Sequence, residues 1–228
     1  MNTDDLTKEL VKTAIGFFVP TVAKSILPPA VPRQTIPVMV WCVAGFVGGL
    51  IGGLCIWFIS ATYTAGSTPA LVTIGSISFD VIVLSNMAVF GAVMGFFEWF
   101  ALRGFHNEGQ SPLGNWFIFA SIAGWASFAL NSDWGWVFVG AAVGVLQIFS
   151  LTGFKLSFVW VVFNVIAWPT AGWLSHSVNA SLLLNNPDVS RIVGWALVGL
   201  IGAVVLIVPL KVIEIANKGQ PQLAEPAH

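Results

Sequence analysis

Six apolar runs dominate the chain, at roughly 37–60, 81–103, 115–131, 134–153, 157–176 and 190–213. A helix crosses a bilayer core with about 20 apolar residues, so each run predicts a transmembrane helix; the third is the shortest. Ahead of them, residues 4–19 carry a different pattern. At about 100° per residue, Leu6, Leu10, Val11, Ala14, Ile15, Phe17 and Phe18 gather on one side, and Asp5, Lys8, Glu9 and Lys12 on the other. This predicts an amphipathic helix, lying in the membrane interface, docking on a partner, or packed under the protein's own loops. Pro20 interrupts it, and LPPAVPRQTIP should run extended and stiff. The expected organisation is a cytoplasmic amphipathic helix and linker over 1–36, a six-helix membrane domain over 37–213, and a cytoplasmic tail over 214–228. Between the first two runs, residues 61–79 read as an uncharged outer loop.

The middle of the chain repeats itself. Residues 89–105 read VFGAVMGFFEWFALRGF, and 138–154 read FVGAAVGVLQIFSLTGF. Slid by 49, Gly91 falls on Gly140, Gly95 on Gly144, Glu98 on Gln147 and Leu102 on Leu151. The helix that follows each aligns with a slide of 44: Trp116 on Trp160, Phe119 on Phe163, Ala123 on Ala167. This pattern predicts two copies of a membrane hairpin running the same way through the bilayer. Trp195, Gly199 and Ala203 of the last run sit like Trp136, Gly140 and Gly144. With the first run as its partner, that would make a third hairpin and a ring with pseudo-threefold symmetry.

Composition agrees with a membrane protein. Hydrophobic residues make up 57% of the chain and charged residues 8%, where a soluble domain carries about 25% charged residues. The net charge of -1 gives no basic surface for nucleic acid. The start, MNTDDLTKEL, is acidic and lacks the basic n-region of a signal peptide. Cys42 and Cys55 fall about 20 Å apart along one predicted helix, too far for a disulfide. With the N-terminus in the cytoplasm, eight of the nine basic residues lie inside and Arg191 alone lies outside, the expected positive-inside bias. Trp41, Trp99, Trp116 and Trp160 then fall at inner headgroup depth and Trp57, Trp134, Trp136, Trp173 and Trp195 at outer depth, as interfacial belts would. Trp125 and Trp168 are left deeper.

Candidate functional residues are few. Gly45, Gly49 and Gly53 recur every four residues, and Gly91/Gly95 and Gly140/Gly144 repeat the spacing. A face without side chains lets helices approach closely in lipid, either within the chain or, for the first helix, against another subunit. Glu98 is the acid expected inside the hydrocarbon, about 8 Å from the cytoplasmic end; it can pair with Arg103, take part in a structural hydrogen bond, or mark an ion path. Asn164, with Pro169 after it, can line a cavity or bond a neighbouring helix. Glu98, Gln147, Asn164 and Arg103 are therefore the cavity candidates. His176, at the outer end of the fifth run, is the candidate ligand for a haem or chlorophyll. No histidine pair has metal-ligand spacing, and no CxxC, GxSxG or phosphate-binding glycine loop is present. Neither a metal nor a catalytic residue is expected, and no cofactor can be named.

The segments GAVMGFFEWFALRGF and GAAVGVLQIFSLTGF, each followed by a second helix, resemble a Trp-rich repeat of uncharacterised bacterial membrane proteins, many from photosynthetic lineages. There the unit reads G-x-x-x-G-x-x-Q-W-x-x-L-R, followed by a helix with a Gly-Trp pair. Gly91, Gly95, Trp99, Leu102, Arg103, Gly124 and Trp125 match it. Glu98 replaces the glutamine in the first unit; in the second, Ile148 and Thr152 replace the tryptophan and arginine. The resemblance implies a bacterial inner or photosynthetic membrane and no catalytic residues. In topology alone the chain is also similar to the substrate-binding subunits of energy-coupling vitamin transporters. The expectation is an all-α, polytopic helix bundle in contact with lipid and with other membrane subunits or copies of itself. Its expected role is that of a non-enzymatic subunit or scaffold; the alternatives are a small-molecule or ion transporter, or its binding subunit, and a pigment-binding accessory subunit.

Overall fold

The computed structural model describes residues 37–63, 71–74, 77–102, 116–130, 134–151, 156–181 and 186–217. The expected amphipathic helix, the proline-rich linker, Arg103 and the tail beyond 217 lie outside the described residues. The architecture is helical apart from one small hairpin. Helix α1 is Val38–Tyr63, followed by strands β1 (Leu71–Ile74) and β2 (Ile77–Asp80). Helix α2 is Val81–Leu102, and α3 is Trp116–Ala126, extended by a 3₁₀ turn over Ser127–Leu130. Helix α4 is Gly135–Ile148 with a 3₁₀ end at Phe149–Leu151, α5 is Phe158–Ser181 and α6 is Pro187–Asn217. Helices α1, α2, α5 and α6 are long and apolar enough to cross a membrane; α3 and α4 are shorter apolar helices.

Helix starts follow local chemistry. The Asp80 carboxylate accepts the backbone N–H groups of Ile82 and Val83 at 2.7 and 3.3 Å, capping α2. Asn186 caps α6 through the N–H groups of Asp188 and Val189, with Pro187 in the first helical position, where a missing N–H costs nothing. The stretch expected as an open loop instead holds an antiparallel pair, Leu71 opposite Asp80 and Ile74 opposite Ile77. Its signal is the alternating, β-branched LVTI and ISFD on either side of Gly75-Ser76.

Each helix packs on its neighbours in the chain, and α6 packs back on α1, so the six close into a ring. Three seams share one contact. A methyl group added at Gly91 of α2 would lie 2.6 Å from the Ser121 carbonyl oxygen on α3. One at Gly140 of α4 would lie 2.5 Å from the Asn164 carbonyl oxygen on α5, and Gly199 of α6 meets the Gly45 carbonyl on α1 in the same way. One turn on, Gly95 faces Ser121 and Ile118, Gly144 faces Asn164 and Val161, and the Ala203 methyl fills the space over Gly45. These contacts pair Ser121 with Asn164 and Ile118 with Val161, a displacement of 43 residues. The sequence alignment of 44 is thus one residue out of register. In the contact register Trp160 corresponds to Phe117, both wholly buried, while Trp116 is half exposed.

One of the two alternatives for the first-helix glycines is selected here, and one reading is corrected. The glycine face of α1 is turned inward: Gly45, Gly49 and Gly53 all lie against α6 of the same chain. It is therefore consumed by ring closure and is not a docking face for another subunit. The tryptophan belt also contracts. Trp41 and Trp160 are almost wholly buried, and Trp99, Trp136 and Trp195 pack on the core, leaving Trp57, Trp116, Trp134 and Trp173 as the exposed indoles. Depth along a helix says how far a residue lies from the headgroups; it does not say which side of the helix it occupies.

The interior is filled with aromatic rings. Trp125 of α3 meets Phe90 of α2 at 4.5 Å, Trp168 of α5 at 4.9 Å, Trp136 of α4 at 6.1 Å and Trp195 of α6 at 6.4 Å between centroids. One side chain thus touches four other helices, mostly edge to face, the geometry aromatic quadrupoles favour. A second layer brings Trp160 against Trp41 and Phe117.

Candidate functional site

Beside that second layer lies the buried polar cluster of the molecule. Glu98 on α2 is 4% exposed, and Gln147 on α4 and Ser121 on α3 are fully buried. The Gln147 Nε2 group donates to Ser121 Oγ at 2.8 Å and to Glu98 Oε2 at 3.3 Å. Gln147 Oε1 accepts the Trp160 indole N–H at 2.9 Å. An indole N–H can only donate, so it fixes which end of the amide is oxygen. Both amide hydrogens and the amide oxygen of Gln147 are then engaged. Leu206, wholly buried, holds on α6 the place seven residues after Gly199 that Glu98 and Gln147 hold after Gly91 and Gly140. Two of the three comparable positions are therefore polar and face each other; the third is apolar.

Asn164 extends the cluster along α5. It is fully buried, its Nδ2 donates to the Trp160 carbonyl at 2.9 Å, and its Oδ1 accepts the Trp168 indole N–H at 2.9 Å. Asn164 thus orients the indole that meets Trp125, with Pro169 inside the same helix. Of the sequence candidates, Glu98 and Gln147 come into direct contact, Asn164 joins them through Trp160, and Arg103 lies outside the described residues. The glycine candidates Gly45, Gly49, Gly53, Gly91, Gly95, Gly140 and Gly144 all sit at helix contacts.

Several polar residues escaped the sequence reading. Ser121 and Trp160 complete the cluster; Ser121 is one inconspicuous hydroxyl in an apolar run, and Trp160 looked like an interfacial anchor. Glu214, 3% exposed near the end of α6, accepts Lys211 Nζ at 2.7 Å. The expected helix end at 213 hid it, because α6 continues to Asn217. Asn86 of α2 donates to Ser60 Oγ of α1 at 3.1 Å, and its buried Oδ1 has no partner among the described residues.

His176 stands apart from all of these. It is exposed near the C-terminal end of α5 and lines an open pocket together with Arg191 and Trp136. Among the described residues no group of three or more His, Cys, Asp or Glu side chains could hold a metal ion. The interior arrangement can position helices and orient two indoles. Its one ionisable member, Glu98, faces an amide donor that is already shared with Ser121. Compared with known proteins, the chain matches no family model, no curated protein and no solved structure.

Proposed function

We propose that this chain is a non-enzymatic integral membrane subunit or scaffold of a larger membrane complex. The observation that supports this reading is the filled interior: Trp125 with Phe90, Trp136, Trp168 and Trp195 occupies the middle of the ring where a solute path would run. The proposal includes six crossings assembled as three related hairpins, α2–α3, α4–α5 and α6–α1. The recurring seam contacts support it. Length supports it as well: with their 3₁₀ ends at about 2.0 Å per residue, α3 and α4 reach roughly 25 and 27 Å, near a hydrocarbon core of about 30 Å that thins at modest cost. The charge distribution favours both termini in the cytoplasm of a bacterial inner or photosynthetic membrane. Partner surface would come from the outward side chains, such as Phe46, Leu54 and Phe58 of α1 and Phe138 and Val145 of α4, which lipid also fits.

Native mass spectrometry of the protein released from its own membrane in mild detergent tests the proposal. Other polypeptides bound in fixed ratio are expected. A chain that emerges alone from every mild detergent, with no polypeptide partner, would count against it.

One observation favours a second reading, transport or ligand coupling: an acid, Glu98, lies inside an apolar bundle, where ionisable groups are costly and commonly functional. Glu98→Gln separates the two. A subunit keeps its assembly with this near-isostere, whereas a carrier that uses the carboxyl loses uptake.

A further inference from the structure

Where α5 ends and α6 begins, a pocket of about 280 Å³ opens between these helices and α4. That is room for roughly nine waters at about 30 Å³ each. Its exposed lining is Arg191 and His176; its buried lining includes Ser175 and Val198, with Trp136 and Trp195 half buried between them.

Comparison with the other two junctions of this kind explains why it is open. Between α1 and α2, the Phe90 ring lies on Gly52, 2.6 Å from where a methyl group would stand. Between α3 and α4, the Phe128 ring lies on Gly135 at 2.8 Å. On α6 the residue before the seam glycine is Val198 where α2 has Phe90, and Gly194 stands five residues before it, as Gly135 stands before Gly140. The position on α5 matching Phe128, in the 43-residue register, is Ala171, so neither phenylalanine of the other two junctions has a counterpart here.

The lining is rich in donors and poor in acceptors. The Arg191 guanidinium is always cationic and carries five N–H groups. Among the described residues neither Arg191 nor His176 has an ion pair or hydrogen bond, and Asp188, one turn before Arg191, forms none with it. The indoles of Trp136 and Trp195 make ring contacts but no hydrogen bond among the described residues, whereas those of Trp41, Trp160 and Trp168 all donate within the chain. The Ser175 hydroxyl is spent on the Gly172 carbonyl at 3.1 Å. Arg191 and Val198 are seven residues apart, so the pocket runs about 10 Å along α6, from a cationic end to an apolar one.

We infer that this pocket binds an anionic phospholipid, its phosphate on Arg191 and His176 and the start of its acyl chains over Trp136, Trp195 and Val198. Free phosphate shares the headgroup chemistry but leaves the apolar end uncovered.

Phosphatidylglycerol titrated into the delipidated full-length protein in mild detergent, read by native mass spectrometry, tests this. The wild type should retain one tightly held lipid. Arg191→Gln should weaken it about tenfold or more, and Val198→Phe, which restores the ring present at Phe90, should abolish it. Arg191→Gln keeps the test open should Val198→Phe fail to fold. Equal retention by wild type and Arg191→Gln, or equal retention of zwitterionic phosphatidylcholine, would reduce the lipid to a non-specific annular contact and overturn the inference. Displacement by millimolar inorganic phosphate would make the free anion the ligand and overturn it too.

Discussion

The polar cluster around Gln147 and the pocket beside Arg191 are built from similar groups, yet they differ in what is left over. In the cluster each amide hydrogen and the amide oxygen of Gln147 meet a partner from another helix. In the pocket the guanidinium, the imidazole and two indole N–H groups have no partner among the described residues. Polar groups inside a membrane bundle are costly unless matched. Where the chain matches them itself, they hold helices in register. Where it leaves donors facing an opening, water or a bound ligand supplies the acceptor. Satisfaction, more than polarity, separates a structural site from a binding one.

The cluster can be broken hardest from its seam. Gly95→Leu would drive a side chain into Ser121, whose Cβ stands 2.6 Å from the space a methyl group needs. Overpacking costs about 1–3 kcal/mol when neighbours can shift, and part of the obstruction here is the α3 backbone near Ile118. Loss of monodisperse protein on size exclusion is expected; a normal elution profile would show that the seam is loose. Gln147→Leu comes next. It strands the Glu98 carboxyl, Ser121 and the Trp160 indole at roughly 1–3 kcal/mol for a buried group left unmatched, and the thermal midpoint in detergent should fall by several degrees.

Trp160→Phe removes one donor and keeps the ring contacts to Trp41 and Phe117. Its cost should be close to that of a single interhelical hydrogen bond in a membrane, about 0.6 and at most about 1.7 kcal/mol. Glu98→Gln keeps an acceptor toward Gln147 and should shift stability less still; a large drop would mean the carboxyl does more than accept that bond. Smallest of all, Arg191→Gln should leave stability within about 0.5 kcal/mol while weakening lipid retention. If Arg191→Gln destabilised the fold as much as Gln147→Leu, the contrast between the two regions would fail.

Much of this contrast was legible in the sequence and some was not. The long helices follow from apolar runs, and the slide of 49 set Glu98 on Gln147 before any contact was visible. That alignment makes them equivalent; it cannot say that equivalent positions on neighbouring hairpins face each other across the ring. Identity also misled. Matching Trp116 with Trp160 placed the second helices one residue, about 100°, out of register, and so concealed that Ser121 corresponds to Asn164. Trp41 and Trp160 looked like belt residues because depth is readable from position in an apolar run and helix face is not, when nearly every side of the helix is hydrophobic. The pocket was half visible: Arg191 and His176 stood out as polar residues, but the missing aromatic ring at Val198 is apparent only beside Phe90 and Phe128.

In the proposed six-crossing ring, with α3 and α4 spanning the bilayer, the Gln147 cluster lies toward one face and the Arg191 pocket toward the other. The most direct measurement is sided labelling of single cysteines in a Cys42→Ser, Cys55→Ser background. In a six-crossing ring, Ser132→Cys between α3 and α4 reacts with a membrane-impermeant maleimide on intact cells, while Asn107→Cys reacts only after permeabilisation. If Ser132→Cys is protected on intact cells and reacts from the same side as Asn107→Cys, the chain crosses four times, and the six-crossing ring is wrong.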